Sequence, residues 1–499
     1  MKLKLSDDFK RETAFFLCML IVSACFIGLL SKSSPIYPMN DWPDVDCYHT
    51  MAKSMLDGKI MYRDAFDHKG PYLYFIFAAA CILSKHSFLG LCLIEIIALA
   101  LSLYIIRKLL KLTVKNEGYI GIVLIIYAFI VTTSKAFSHG GSAEELCLPL
   151  VLYAIYYFAR LLDEGSKMRP LHHIINGVCI CVLFFIKYNF LGVYIGGYLA
   201  AFFCLLIEKR IKELPEMIGY TLLGFFGAAI PVAFYFGFTG AFPDLWNVYF
   251  YDNIFVYVKE ATLSEKFKYV FETVKSVFTR YKLFTALCII GVVRDLCTKR
   301  WKNAAINVSC FVFGALGIYF GGRGYIYYAL MLFPYAAVGL EACAWFLENC
   351  VKIKFEKINV VATVIIVQLV CVLIYSHSIS PNSYLLEYEK DDMPQYKFAK
   401  IINSVDNSTM LNYGFLDGGF YYAAEKVPAN KYYYRSNLTI PEMIDEQNDI
   451  VNNKKVDFIV TRRYPLEKYL DIDNKYRLIS EESFVIEGYN YTYYLYERI

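Results

Sequence analysis

Apolar residues in this chain gather into runs of about twenty, separated by short charged or aromatic stretches. A helical run of about 20 residues spans a hydrocarbon core of about 30 Å at about 1.5 Å per residue. Such runs lie near 13–31, 88–106, 118–134, 146–162, 173–187, 190–207, 217–238, 282–297, 303–320, 325–346 and 357–377. They predict an all-α polytopic membrane domain with about 11 transmembrane helices. The apolar stretch 71–84 is only about 14 residues long, which suits an interfacial helix in a first external loop over about 32–87 better than a crossing. The run 173–207 is broken by Lys187, Tyr188 and Asn189, which predicts two short spans with that triplet at the outer surface. Residues 240–281 mix aromatics with charges and read as an external amphipathic loop, its Trp and Tyr at headgroup level.

From residue 380 the pattern changes to a polar, Tyr- and Asn-rich tail. VDFIVTRR and EGYNYTYYLYERI alternate as strands do, and PQYKFAKIINSV and IPEMIDEQNDIVNNK have helical period. The expected organisation is a membrane domain over 1–379 and a small extracytoplasmic α/β domain over 380–499.

Charge sets the orientation. The loops Lys2 to Arg11, Arg107 to Lys115, Arg160 to Arg169, Lys209 to Lys212, Arg294 to Lys302 and Lys352 to Lys357 are all basic and fall on one side. Basic loops stay in the cytoplasm, so the N-terminus is expected inside, and an odd number of crossings puts the tail outside a plasma membrane. The first run lacks a small-x-small cleavage site and reads as a retained anchor. A 57% hydrophobic composition with mean hydropathy +0.40 agrees with a multi-pass protein, and a net charge of +4 gives no sign of nucleic-acid binding. The 15 cysteines are scattered through apolar runs without C-x-x-C or Cys/His spacing, so neither a disulfide framework nor a zinc site is expected.

Four polar clusters should reach the outer face. The first holds Asp44 and Asp46, just after the first span. A carboxylate there can act as a general base, or can be a solvated loop acid or the N-cap of a helix over Cys47–Leu56. The second is Asp64 to Pro71 (DAFDHKGP), with Asp67, His68 and Lys69. Lys69 offers a point charge for phosphate; the bland reading is a turn that starts an interfacial helix, its lysine reaching for the headgroups. The third runs from Ser138 to Glu145, where Glu144 and Glu145 either contact a substrate or complement a helix dipole. The fourth is GGRGYIYY, where Arg323 can present a fork to phosphate or can be an interfacial arginine beside an aromatic belt. Lys187 is a further cation of either kind.

The segment DVDCYHTMAKSMLDGKIMYRDAFDHKGPYLYF resembles the first external loop of GT-C polytopic glycosyltransferases, among them the protein O-mannosyltransferases and lipid A aminoarabinose transferases. GGRGYIYYALMLFP is similar to their late outer-face motif, and Glu144 stands where an acid often follows the third span. The likeness covers about 1–380 in layout. It implies a GT-C fold, a polyprenyl-phosphate sugar donor, inversion at the anomeric carbon, and an extracytoplasmic glycan, lipid or protein as acceptor. On that resemblance Asp44 is the base, and Lys69 and Arg323, with Lys187, bind the donor phosphate. Asp46, Asp67, His68, Glu144, Glu145 and Tyr327 would contact substrate or could hold a divalent metal. Val45 replaces an acid common in the family, Tyr327 a histidine, and Asp46 is extra. Relatives differ in metal use, so no metal is assigned. A lipid-linked sugar flippase or secondary transporter, or an O-antigen ligase, is the alternative.

Overall fold

The computed structural model describes residues 7–137, 139–162, 168–351, 358–438, 440–486 and 488–499. Lys2, Lys4, Ser138, Lys167, Lys352, Lys354 and Lys357 lie outside them. A helical segment coincides with each of the eleven predicted runs. Among the described residues five stretches suffice by length and composition to cross a membrane: Phe9–Leu30, Leu89–Leu110, Pro170–Ile207, Ile211–Thr239 and Ile326–Val351. A sixth is the pair Leu263–Arg280 and Lys282–Cys297 if, despite its 105° bend, it counts as one span. The chain is a multi-pass membrane protein. It divides into two compact units, one of 1–31, 92–231 and 260–380, the other of 32–91, 232–259 and 381–499.

Among the described residues the first unit's regular elements are all helical. The stretch Pro170–Ile207 turns back at Tyr188–Leu191, where Lys187 leaves helical backbone with φ −161° and ψ 92°, and Asn176 Nδ2 donates to the Tyr198 hydroxyl at 2.6 Å across the two arms. Helices approach closely where side chains are smallest, as expected where lipid gives no hydrophobic drive to pack. Gly192 and Gly196 lie against the backbone of 309–314, and Ser309 donates to the Gly196 carbonyl at 2.8 Å. The predicted run 325–346 begins as a 3-10 segment, Ile326–Tyr335, before the α-helix Ala336–Phe346. Pro334 lacks the N–H of an α-helical ladder and crowds the preceding turn. Arg107 is fully buried, 3.0 Å from Glu12 and 3.2 Å from Glu117.

The second unit joins the first loop to the tail. Its sheet has the order β1-β2-β4-β3, with β1 Met410–Asn412, β2 Phe458–Arg462, β3 Tyr476–Ile486 and β4 Tyr489–Arg498. β1 and β2 are parallel and the other pairs antiparallel. A parallel pair needs a long crossover, and helix Pro441–Asn452 lies within it. Leu411, Ile450, Val451, Val456, Ile459 and Tyr496 form the core between helix and sheet. The first loop contributes helices Pro43–Leu56 and Pro71–Leu83. Residues 240–281 contain a short helical turn Phe242–Asp244 and a π-helix Leu245–Val256 in this unit, and the capped amphipathic helix Leu263–Arg280 in the other.

Candidate functional site

Helix Pro43–Leu56 begins with proline at its first position, where the missing N–H costs nothing. Asp44 lies in its first turn, which favours a negative charge. Tyr48 is one turn further along the same face. Its hydroxyl donates to Asp44 Oδ2 at 3.3 Å, and its ring packs edge-on against Phe77 at 5.3 Å and Tyr74 at 6.4 Å. The Lys69 ammonium lies 5.8 Å from the centroid of the same ring. One fixed aromatic therefore links the acid of the first cluster to the cation of the second.

The turn leading to Lys69 is tightly determined. Asp64 Oδ2 accepts from the Ile60 N–H at 2.8 Å, which gives Asp64 a local structural duty. Tyr62 takes φ +68°, a costly conformation for a bulky residue. Burial and a ring stacked on Phe236 at 5.8 Å hold it there. The Tyr62 hydroxyl donates to the Lys69 carbonyl at 2.5 Å, and the Lys69 N–H donates to the Tyr74 hydroxyl at 2.9 Å. Two phenols thus clamp the Lys69 backbone. Gly70 is extended, with φ −76° and ψ 153°, so this turn does not demand glycine for its conformation. Arg63 forks onto Asp244 Oδ2 at 3.1 and 3.0 Å and donates to the carbonyls of Thr239 and Gly240 at 3.0 and 2.7 Å.

His68 Nε2 is 3.4 Å from the Lys69 ammonium, and the His68 carbonyl accepts from Asn253 Nδ2 at 2.7 Å. Asp67 is buried. Its Oδ1 accepts from the His68 N–H at 2.7 Å and from the Tyr434 hydroxyl at 3.1 Å. Burial pushes its carboxyl above the usual range, while the nearby Lys69 charge pulls it back.

Asp46 does not face this cluster. Two residues on in a helix is the opposite side, and Asp46 is fully buried with Asp417 of the tail among its neighbours. Asp417 accepts from Thr50 Oγ1 at 2.7 Å, Asn412 Nδ2 at 3.1 Å and the Gly419 N–H at 3.1 Å. Sequence reading missed Asp417, Thr50 and the buried pair Lys32–Asp41 at 2.7 Å, which Tyr384 completes by donating to Asp41 at 2.6 Å. The DGG turn 417–419 was a visible signal for a tight loop, but not for its partner.

In the first unit, Ser142 caps helix Ala143–Leu161, accepting from the Glu145 N–H at 3.0 Å, and Glu145 Oε2 accepts from the Gly141 N–H at 2.7 Å. Gly140 and Gly141 both have positive φ, +75° and +76°, which favours glycine in that turn. Glu144 is paired with Lys187 at 2.7 Å, and the Lys187 ammonium lies 3.6 Å from the Tyr328 ring centroid. Tyr327 packs edge-on to Tyr328 at 5.1 Å and to His139 at 6.3 Å. Glu144, Lys187, Tyr327 and Tyr328 are thus gathered together, and Arg323 follows the positive-φ Gly322, half-buried at the edge of the same sequence motif. Among the described residues no group of three or more His, Cys, Asp or Glu side chains is placed to hold a metal ion.

No protein-family model and no curated protein matches the sequence. Two crystal structures of ArnT from Cupriavidus metallidurans do match in fold. The one bound to undecaprenyl phosphate superposes with a TM-score of 0.58 at 11% identity over 97% of each chain. The apo structure gives 0.56 at 10% identity over 98% of each. Matching along nearly the whole of both chains, this protein has the GT-C fold of ArnT, with a polytopic helical part and a small C-terminal sheet.

Proposed function

We propose that this protein is a membrane glycosyltransferase that moves a sugar from a polyprenyl-phosphate donor to an extracytoplasmic acceptor, with inversion. The observation that carries the reading is the placement of Asp44 and Lys69 at one tyrosine, Asp44 at the Tyr48 hydroxyl and Lys69 over its ring. Transfer from a lipid phosphate needs a base for the incoming hydroxyl and a cation for the departing phosphate. Asp44 takes the acceptor proton as the oxygen attacks the anomeric carbon. The bond from that carbon to the phosphate oxygen breaks on the opposite side, and Lys69 stabilises the charge left on the phosphate. The His68 ring nitrogen and the Tyr48 ring are the neighbours that position the lysine. The undecaprenyl phosphate bound by ArnT supports a polyprenyl carrier here. Phosphate roles for Arg323 and Lys187, and substrate contacts for Glu144, Glu145 and Tyr327, rest on the resemblance. The basic loops support a cytoplasmic N-terminus and an extracytoplasmic tail.

The test is a transfer assay with purified protein and a panel of radiolabelled polyprenyl-phosphate sugars, the product being identified by mass spectrometry. Label on a non-lipid or new lipid acceptor is the expected result. Label that reaches the far leaflet of a vesicle still on its original carrier would make the protein a flippase instead.

A further inference from the structure

The side of helix Pro43–Leu56 away from Tyr48 carries a second carboxyl that the proposed chemistry does not use. Asp46 has no exposed surface, and among the described residues neither of its oxygens has a hydrogen-bond partner. The groups near it come from several segments: Asp41 and Lys32 from the chain entering the helix, Asp417 from the loop after β1, Tyr396 from helix Pro394–Ile402, and Tyr422 from the turn Phe420–Ala423. Lys32 already pairs with Asp41 at 2.7 Å, and Asp417 already holds three donors. The loop also approaches with its backbone. Gly419 has φ +81°, and a methyl group there would lie 3.2 and 3.3 Å from the two Asp46 oxygens. A carboxylate anion at this place would be a buried charge without a donor, facing two other carboxylates, so the site accommodates the neutral acid.

We propose that Asp46 is a proton-dependent positioning residue: protonated, it lets helix Pro43–Leu56 seat on the 417–422 segment and so holds Asp44 and Tyr48 beside Lys69, and losing that proton to water unseats the helix. The seating itself stands apart from the proposed function, while its consequence for transfer rests on that reading. Burial first, then Asp417 and Asp41, pushes the Asp46 carboxyl well above the usual range, and Lys32 offsets this only partly. An acid whose value is raised in the seated state favours seating at low pH and loses that contribution as pH rises toward the raised value. Asp417, raised to about 6 by burial, acts in the same direction below that pH, so Asp46 is read above it.

The experiment is hydrogen exchange by mass spectrometry on the full chain in lipid nanodiscs, following peptides over 43–56 from about pH 6.5 to about pH 9, beside the transfer assay. In the parent, protection corrected for intrinsic exchange falls about tenfold per pH unit, the slope of one linked proton. Asp46→Asn, permanently neutral, stays flat and keeps transfer at alkaline pH. Asp417→Asn removes the facing charge, so its decline levels off at lower pH than in the parent. A parent as flat as Asp46→Asn, or an Asp417→Asn curve that does not move, overturns the proposal. Loss of transfer in Asp46→Asn with exchange intact also overturns it, because Asp46 would then act in the chemistry. The expected exchange pattern in a protein that transfers no sugar supports the proton-dependent seating and removes the glycosyltransferase reading.

Discussion

Lys187→Met tests whether the Lys187–Glu144 contact is a structural ion pair. The ammonium lies 2.7 Å from Glu144 Oε1, with side-chain exposures of 13% for the lysine and 2% for the glutamate. The same ammonium is 3.6 Å from the Tyr328 centroid. Removing the lysine strands a carboxylate that solvent barely reaches. Breaking a buried pair in this way costs about 3–5 kcal/mol, whereas an exposed pair costs at most about 1 kcal/mol. Glu144→Gln leaves a lysine that keeps its aromatic face and some solvent, so it should cost less, about 1–3 kcal/mol. The double variant leaves no charge stranded and should recover about 2 kcal/mol relative to the sum of the singles. The assay is reversible unfolding of the four proteins in mixed micelles, analysed as a double-mutant cycle. Lys187→Met within about 1 kcal/mol of the parent, or a double variant that costs the full sum, refutes the pair. A lysine held chiefly for the donor phosphate would instead leave stability unchanged and raise the KM for donor.

Three further outcomes are expected. Asp44→Asn lowers transfer by at least about 10²-fold, within the range of general-base help, and leaves expression and unfolding as in the parent; full activity in that variant removes Asp44 from the role. Lys69→Ala raises the KM for donor more than that for acceptor, and equal changes in steady-state kinetics would argue against phosphate binding. His49 is buried between Phe88 at 5.2 Å and Tyr422 at 5.0 Å, and burial lowers its imidazole to about 3. A group depressed in the folded state stabilises it above the unfolded value and loses that contribution as pH falls. Stability contributed by His49 should therefore decline from about pH 6.5 toward about pH 3, by about 1.4 kcal/mol per unit, and His49→Phe should differ from the parent by that increment in the slope of a thermal-unfolding series, whatever the raised Asp46 and Asp417 add with the opposite sign; an identical slope in the two proteins would show that His49 is not a titrating group.

Local features were readable because they depend on neighbours in the chain. Pro71 begins a helix and the Lys187 triplet marks a reversal, both at their expected places; the helix expected over Cys47–Leu56 starts one turn earlier, at Pro43. The strands β2 and β4 followed from alternation, while β1, with three residues, was too short to show a period. The π-helix Leu245–Val256 was invisible for a different reason. Its aromatic sequence fits several helical windings, and contacts such as Asn253 to the His68 carbonyl belong to its tertiary setting.

The sequence alone determined where the chain becomes apolar, which residues start and end its helices, and which short loop carries the acids and the cation. Hydrophobic run length and the period of a helix are properties of consecutive residues. Only the tertiary structure decided that Asp44 and Asp46, two positions apart, have different surroundings: one shares Tyr48 with Lys69, and the other is sealed beside Asp417, more than 350 residues away in the chain. Burial and the distance between distant charges fix the surroundings of a carboxyl, and both appear only when the segments pack.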